Sequence, residues 1–222
     1  MSQTQWMVRT KKADFNGIGA AFGISPVTAR IMRNRDVCGM DAIYQYLKGT
    51  VEDLYEPMLL PDMGKALEIL QRKIEEGKRI RIVGDYDIDG ICSTYLLYQA
   101  LRRTGAKADY EIPDRIKDGY GINKSIIQAA ADDGIDTILT CDNGIAAIDE
   151  IGLAGELGLT VIVTDHHDIR QDDKGEDLLP KAAAVVNPKR RDSRYPYPEI
   201  CGGMVAYKLV KALYRIFGIP QE

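Results

Sequence analysis

Residues 79–90 read RIRIVGDYDIDG: a short β-branched run, a glycine, then aspartates at alternate positions, Asp85, Asp87 and Asp89, and a second glycine. The run has the character of a buried strand, and the glycine-bounded acidic tail that of a strand-to-helix turn. The same design recurs twice. DTILTC (136–141) runs into Asp142, Asn143 and Gly144, and LTVIVT (159–164) runs into Asp165, His166 and His167. KADYEI (107–112) and AAAVVN (182–187) read as further strands, and the apolar spacing predicts helices over 90–104, 122–133, 145–157 and 203–217. Strands alternating with helices build βαβ units. The expected fold is therefore α/β, a doubly wound, mostly parallel sheet covered on both faces, with right-handed crossovers.

Residues 14–76 show no strand-like alternation, whereas FNGIGAAFGI, SPVTARIMRNR, MDAIYQYLKG and PDMGKALEILQRKIEEGK carry helical spacing. Ser25 followed by Pro26 makes an N-cap and first-turn pair. The expected organisation is a helical lead-in over 1–76 and a sheet domain over 77–222. The polar loop DIRQDDKGEDLLPK (168–181) reads as a mobile surface excursion.

With 45% hydrophobic and 28% charged residues the 222-residue chain has an ordinary globular composition, and no apolar run is long enough for a membrane span. The polar start MSQTQWMVRTKK lacks the apolar core of a secretory signal, so the expected location is cytoplasmic. Cys38, Cys92, Cys141 and Cys201 are scattered, with no CxxC pair, and read as reduced core thiols. The net charge of −4, from 33 acidic and 29 basic side chains, does not advertise nucleic-acid binding. Basic clusters at Arg102-Arg103, at Arg115 with Lys117, and at Lys189-Arg190-Arg191 with Arg194 read singly as solvated faces.

In a parallel sheet the three acidic strand ends share one edge, where open α/β folds place ligands. Neighbouring strands lie about 4.8 Å apart, so the carboxylates would repel unless protonated or bridged by cations. One or two hard divalent ions answer that problem, and a histidine ligand favours Mn²⁺ over pure Mg²⁺ chemistry. Two such ions about 3.5–4 Å apart activate a shared water and clamp a phosphate for in-line attack. A lone aspartate after a strand is often only a helix N-cap. Three such ends in succession, joined by the only two histidines of the chain, exceed that explanation. Gly84 and Gly90 allow the sharp turn; Ser93 falls in the first helical turn, where N–H groups face an anion; Asn143-Gly144 occupies the equivalent place after Asp142. Gly202-Gly203 opens the last helix, where a phosphate site and a plain packing role fit equally.

GDYDIDG, DNG and DHH together resemble the motifs of the DHH phosphoesterase superfamily. PDRIKDGYGI, VVNPKRRDSRYPY and CGGMVAYKLVKALY are similar to the corresponding blocks of its RecJ-type, single-strand-specific 5′-to-3′ DNA exonucleases. The stretch from AAFGISPVTARIMRNR through LYEPMLLPDMGKALEIL is similar to their helical lead-in. The resemblance implies two Mn²⁺ or Mg²⁺ ions. Asp87 and Asp142 would hold one, with Asp85 where other branches use a histidine; Asp89, Asp142 and His166 would hold the second, making Asp142 the bridge. It implies that His167 faces the scissile phosphate or its leaving group, that Asp165 orients the histidine pair, and that Arg115 and Tyr120 face substrate. It implies single-stranded DNA as partner, in recombination and repair, with no membrane role. The family pattern further implies another aspartate and a C-terminal nucleic-acid-binding domain after Glu222, so the chain is expected to be a fragment with little activity alone.

The rivals are nanoRNases, cyclic-dinucleotide phosphodiesterases and manganese pyrophosphatases of the same superfamily; Asp85 and the helical lead-in favour the RecJ type. A haloacid-dehalogenase-type phosphatase would use Asp87 of DIDG as nucleophile. That scheme needs a threonine where Ile91 stands and leaves the histidines without a role. A non-catalytic nucleic-acid-binding scaffold is the remaining alternative, and the intact motif carboxylates and histidines argue against it.

Overall fold

The computed structural model describes Met7 and residues 11–220; most of the polar start read for a leader, residues 1–6 and 8–10, lies outside the described residues. The chain divides into two compact units, Met1–Leu54 and Tyr55–Glu222. In the first, α1 (Phe15–Phe22), α2 (Pro26–Asn34) and α3 (Met40–Lys48) precede a 3-10 turn at Val51–Asp53. Local chemistry sets the first three boundaries. Asp14 caps α1 by accepting from Gly17 N, and left-handed Gly23 ends it; Ser25 then caps α2 by accepting from Thr28 N, with Pro26 in the first turn.

The second unit begins with a 3-10 turn at Pro57–Leu59 and α4 (Met63–Glu75). It continues through β1 (Arg79–Val83), α5 (Ile88–Arg103), β2 (Lys107–Glu111), α6 (Lys124–Asp132), β3 (Thr137–Cys141), α7 (Ile148–Glu156), β4 (Thr160–Thr164), β5 (Ala184–Val186) and α8 (Gly202–Phe217). The strands form one five-stranded sheet in the order β2-β1-β3-β4-β5, and every pairing is parallel. This is a doubly wound α/β sheet.

Because successive strand residues point to opposite faces, β1, β3, β4 and β5 each supply two apolar clusters. Ile80 and Ile82, Leu139 and Cys141, Ile162, and Ala184 with Val186 pack with α4, α5 and α8. Val83, Ile138, Val161, Val163 and Val185 pack with α6 and α7. Each fully buried Leu or Ile contributes about 1.5–3 kcal/mol by leaving water. Helix α4, expected to close the lead-in, buries Met63, Ala66, Leu67, Leu70 and Ile74 in the first of these clusters. Its apolar face is therefore part of the sheet unit, and the compact units divide after Leu54, earlier than the expected residue 76.

The cysteine and loop expectations need correction. Cys141 alone is a buried thiol, its pKa pushed up to about 12 by burial. Cys92 lies exposed on α5, and Cys38 and Cys201 are exposed too. The 168–181 loop is a folded excursion: Gln171 and Asp177 form an antiparallel bridge, Leu178 N donates to Arg170 O at 2.8 Å, and Arg191 N donates to Asp177 Oδ2 at 2.8 Å. The basic run beside it is neutralised locally, Lys189 by Asp168 at 2.8 Å, Arg190 by Asp62 and Asp192, and Arg191 by Glu176 at 2.8 Å.

Both sheet edges are organised by side chains. On β1, Arg81 is only 8% exposed and grips Asp109, its register partner on β2, through two bonds of 2.8 and 2.9 Å. On the outer side of β5, Asp62 Oδ2 accepts from Val185 N at 3.0 Å and Arg190 donates to Val185 O at 2.7 Å. An aspartate and an arginine stand there where another strand would supply acceptor and donor. No helix among the described residues is long and apolar enough to cross a membrane.

Leu70→Ala is expected to destabilise the sheet unit by about 2–5 kcal/mol, read as a lowered urea midpoint with an unchanged m-value. A loss below about 0.5 kcal/mol would contradict the assignment of α4 to the sheet core.

Candidate metal centre

From β1 the chain moves outward to β2 and then crosses back over β1 to reach β3, so the crevice between the carboxyl ends of β1 and β3 is a topological switch point. Asp85 follows β1, Asp142 follows β3, and Asp165, His166 and His167 follow β4. Asp142 takes φ +61°, a left-handed conformation that a short polar side chain tolerates better than most. Its backbone is held from two sides: its N–H donates to Thr164 O at 3.0 Å, and Tyr120 Oη donates to its carbonyl at 2.9 Å.

Two groups of candidate ligands converge. One ligand atom each from Asp85, Asp87 and Asp142 lie within 4.8 Å of one another, as do one each from Asp142, His166 and His167. Asp142 belongs to both. Asp85 is 0% and Asp142 2% exposed, and Asp85 Oδ2 and Asp142 Oδ1 are buried with no hydrogen-bond partner. His166 Nε2 approaches Asp142 Oδ1 to 3.0 Å, close enough for charge attraction but not aligned as a hydrogen bond. Burial pushes the Asp142 carboxyl up, His166 opposes that shift, and the charges of Asp89 and Asp87 add to it. Proximity to Asp142 holds the His166 imidazole above its ordinary value. A buried acceptor left unmet costs about 1–3 kcal/mol, more when charged. The donor set of carboxylate oxygens with an imidazole nitrogen fits Mn²⁺ or Mg²⁺, which would satisfy these oxygens at once.

Asp87 and Asp89 each have a second job. Asp87 caps α5, its Oδ1 accepting from Asp89 N and Gly90 N, both at 2.9 Å. Asp89 accepts from Gly202 N and Gly203 N, both at 2.7 Å, so the positive end of α8 holds its carboxylate 3.5 Å from His166 Nε2. Asp165, 1% exposed, is turned inward: Oδ1 accepts from His166 N, His167 N and, at 2.8 Å, His167 Nδ1, while Oδ2 accepts from Ile145 N. Burial alone would raise its carboxyl; the His167 side chain and the backbone donors outweigh burial and lower it. The same contact raises the His167 pKa.

Tyr120 and Arg115 both lie at this rim. Tyr120 Oη is 3.2–3.3 Å from the two His167 ring nitrogens, and burial with the nearby carboxylates pushes its phenol up. Exposed Arg115 stacks on Tyr86 at 5.2 Å, and Tyr86 meets Tyr120 edge-on at 6.3 Å. Tyr86 was missed from sequence; an aromatic residue lodged between two motif aspartates was the available signal.

Four residues expected to face substrate make hydrogen bonds within the protein. Ser93, 0% exposed, donates to Asp89 O at 2.7 Å. Asn143, 1% exposed, donates to Val83 O and Cys141 O and accepts from Ile122 N. Gly202 and Gly203 give their N–H groups to Asp89, and a Cβ on Gly202 would fall 2.5 Å from Asp142 Oδ1. These residues shape the cluster from behind.

The family described as "DHH family, N-terminal domain" matches residues 79–222. The single-stranded-DNA-specific exonuclease RecJ of Bacillus subtilis is 34% identical over 96% of this chain and 26% of its own length. That of Escherichia coli is 37% identical over 86% of this chain and 31% of its own length. This chain thus spans about a quarter to a third of the curated relatives it matches. Among solved structures, exonuclease RecJ bound to manganese superposes with a TM-score of 0.63 at 32% identity, covering 72% of this chain and 39% of that one. RecJ of Thermus thermophilus in complex with Mn²⁺ gives 0.62 at 26% identity, covering 93% and 28%.

The Asp165–His167 contact has a defined pH signature. His167, with its pKa raised, contributes stability that is full below its unfolded value of about 6.5 and fades as pH rises through the folded value. Asp165, with its pKa lowered, contributes stability that is full above about 3.9 and fades as pH falls through its folded value. In metal-free protein, Asp165→Asn is expected to lower the His167 pKa in an NMR titration. Its stability deficit is expected to be largest between about pH 4 and 6.5; an unmoved His167 titration would refute the pairing.

Proposed function

Because the chain belongs to the DHH family, we propose that it carries the metal-dependent phosphodiester-hydrolysing machinery of a 5′-to-3′ exonuclease acting on single-stranded DNA in recombination and repair. The observation that carries this reading is the pair of buried carboxylate oxygens without a hydrogen bond, on Asp85 and Asp142, at the switch point beside a histidine pair. The substrate and manganese named for the RecJ relatives support it. A helical lead-in before the sheet domain and a cytoplasmic location belong to the same proposal. The grip on DNA is left largely to a further nucleic-acid-binding domain, in keeping with the net charge of −4.

Asp87 and Asp142 are assigned to one ion, with Asp85 alongside, and Asp89, Asp142 and His166 to the other. Bound Mn²⁺ or Mg²⁺ would neutralise the carboxylates, acidify a water and withdraw charge from the phosphate. The residues of the chain supply the rest. Asp165 accepts from His167 Nδ1, which fixes the tautomer, and the raised pKa keeps a proton available for the leaving oxygen. Tyr120 buttresses both this imidazole and the Asp142 backbone. Arg115 on Tyr86 offers a cation and an aromatic face to a strand at the rim.

In calorimetric titration with Mn²⁺, Asp142→Ala is expected to abolish binding of both ions. His167→Ala is expected to retain Mn²⁺ affinity yet slow hydrolysis of a labelled single strand by the full-length protein, by about 10²–10⁴-fold. Parental Mn²⁺ affinity in Asp142→Ala would refute the bridging role, and tight binding without turnover in full-length protein would refute the enzyme.

A further inference from the structure

We propose that Asn143 is a positioning residue whose buried amide sets the separation between the Asp85–Asp87 turn and Asp142, and thereby the spacing of the metal ligands. The functional consequence rests on the metal reading above; the geometric claim does not.

The ladder between β1 and β3 ends at the pair Val83 and Thr140. Past that point each strand end is tied outward, away from the other. Gly84 N donates to Glu111 O on β2, at 3.1 Å, and Asp142 N donates to Thr164 O on β4, at 3.0 Å. Such divergence opens the crevice at a switch point, and the two carboxylates repel across it. Asn143 is the tie in the opposite sense. Its Nδ2 donates to Val83 O at 3.0 Å and to Cys141 O at 2.8 Å, stapling the last residues of β1 and β3 together.

The other end of the amide recruits a third segment. Asn143 Oδ1 accepts from Ile122 N at 3.1 Å, anchoring the turn that carries Tyr120. Gly121, at φ +67°, lies flat on the amide: a Cβ there would come 3.1 Å from Asn143 Cβ. From this turn Gly121 N reaches Asp85 Oδ1 at 3.4 Å and Tyr120 Oη reaches Asp142 O at 2.9 Å. One side chain, 1% exposed, thus fixes both carboxylate-bearing ends and the turn that touches each. The task demands two N–H donors and one acceptor on a short stem, a set that among side chains of this length asparagine alone offers. Aspartate keeps the acceptor for Ile122 but loses both donors; serine is too short to reach all three partners.

The test uses Asn143→Ser and Asn143→Asp, checked for folding by circular dichroism, with Leu70→Ala as a control destabilised from a distant core position. Both Asn143 variants are expected to lose Mn²⁺ affinity by about tenfold or more in calorimetry, a change of about 1.4 kcal/mol, while Leu70→Ala keeps the parental value. Their crystal structures are expected to show the Asp85 and Asp142 oxygens farther apart than the present 4.8 Å limit. Parental affinity, or unchanged carboxylate spacing, in either folded variant would overturn the proposal, as would failure of both to fold. If the parent itself binds no Mn²⁺, the metal reading fails, and the carboxylate spacing in the crystals still decides the role of Asn143.

Discussion

Carboxylates gathered at one strand edge repel one another, most of all where burial removes their hydration. That electrostatic tension, between buried Asp85 and Asp142 and the more exposed Asp87 and Asp89, is the constraint around which the second unit is arranged. Each carboxylate is restrained by something other than its neighbours: Asp87 by the start of α5, Asp89 by the start of α8, Asp142 by the ends of β3 and β4 and by Tyr120. Helix N-termini favour negative charge, so two helices partly offset a repulsion that would otherwise push the strand ends apart. Two buried oxygens are left without a hydrogen bond, a share that a divalent cation would take.

The sheet makes this arrangement rigid enough to matter. Alternating side chains commit β1, β3, β4 and β5 to both apolar faces at once, so a one-residue slip of register would invert all of them. The carboxyl ends of β1, β3 and β4 are thereby set to the precision of a packed interior. The histidine pair inherits that precision through Asp165, whose four hydrogen bonds face inward and leave the imidazoles at the surface of the crevice.

Much of this was legible in sequence because strands and helices announce themselves by period, and because acidic residues right after β-branched runs have one geometric meaning in a parallel sheet. The order of elements and the converging ligands followed. What the sequence did not reveal shares a cause. Ser93, Asn143, Gly202 and Gly203 are types that suit anion binding near helix starts; in the structure they bond Asp89 and the strand-end carbonyls, and for Asn143 with Val83 and for both glycines the partner is distant in sequence. The polar 168–181 loop looked mobile since its fastening to Arg191 lies outside it. The boundary at Leu54 and the exposure of Cys92 likewise depend on which face of a helix finds a partner. Period reveals an element; only packing reveals whom it meets.

The plug on β5 bears on how this molecule behaves at high concentration. An uncovered outer strand is a template on which a neighbouring chain can polymerise, and apolar β5 is the outer strand on this side. With Asp62 and Arg190 already bonded to Val185, that side is closed to self-association. Growth of the sheet is confined to the flank formed by β2, whose Lys107, Asp109 and Glu111 discourage stacking of like copies.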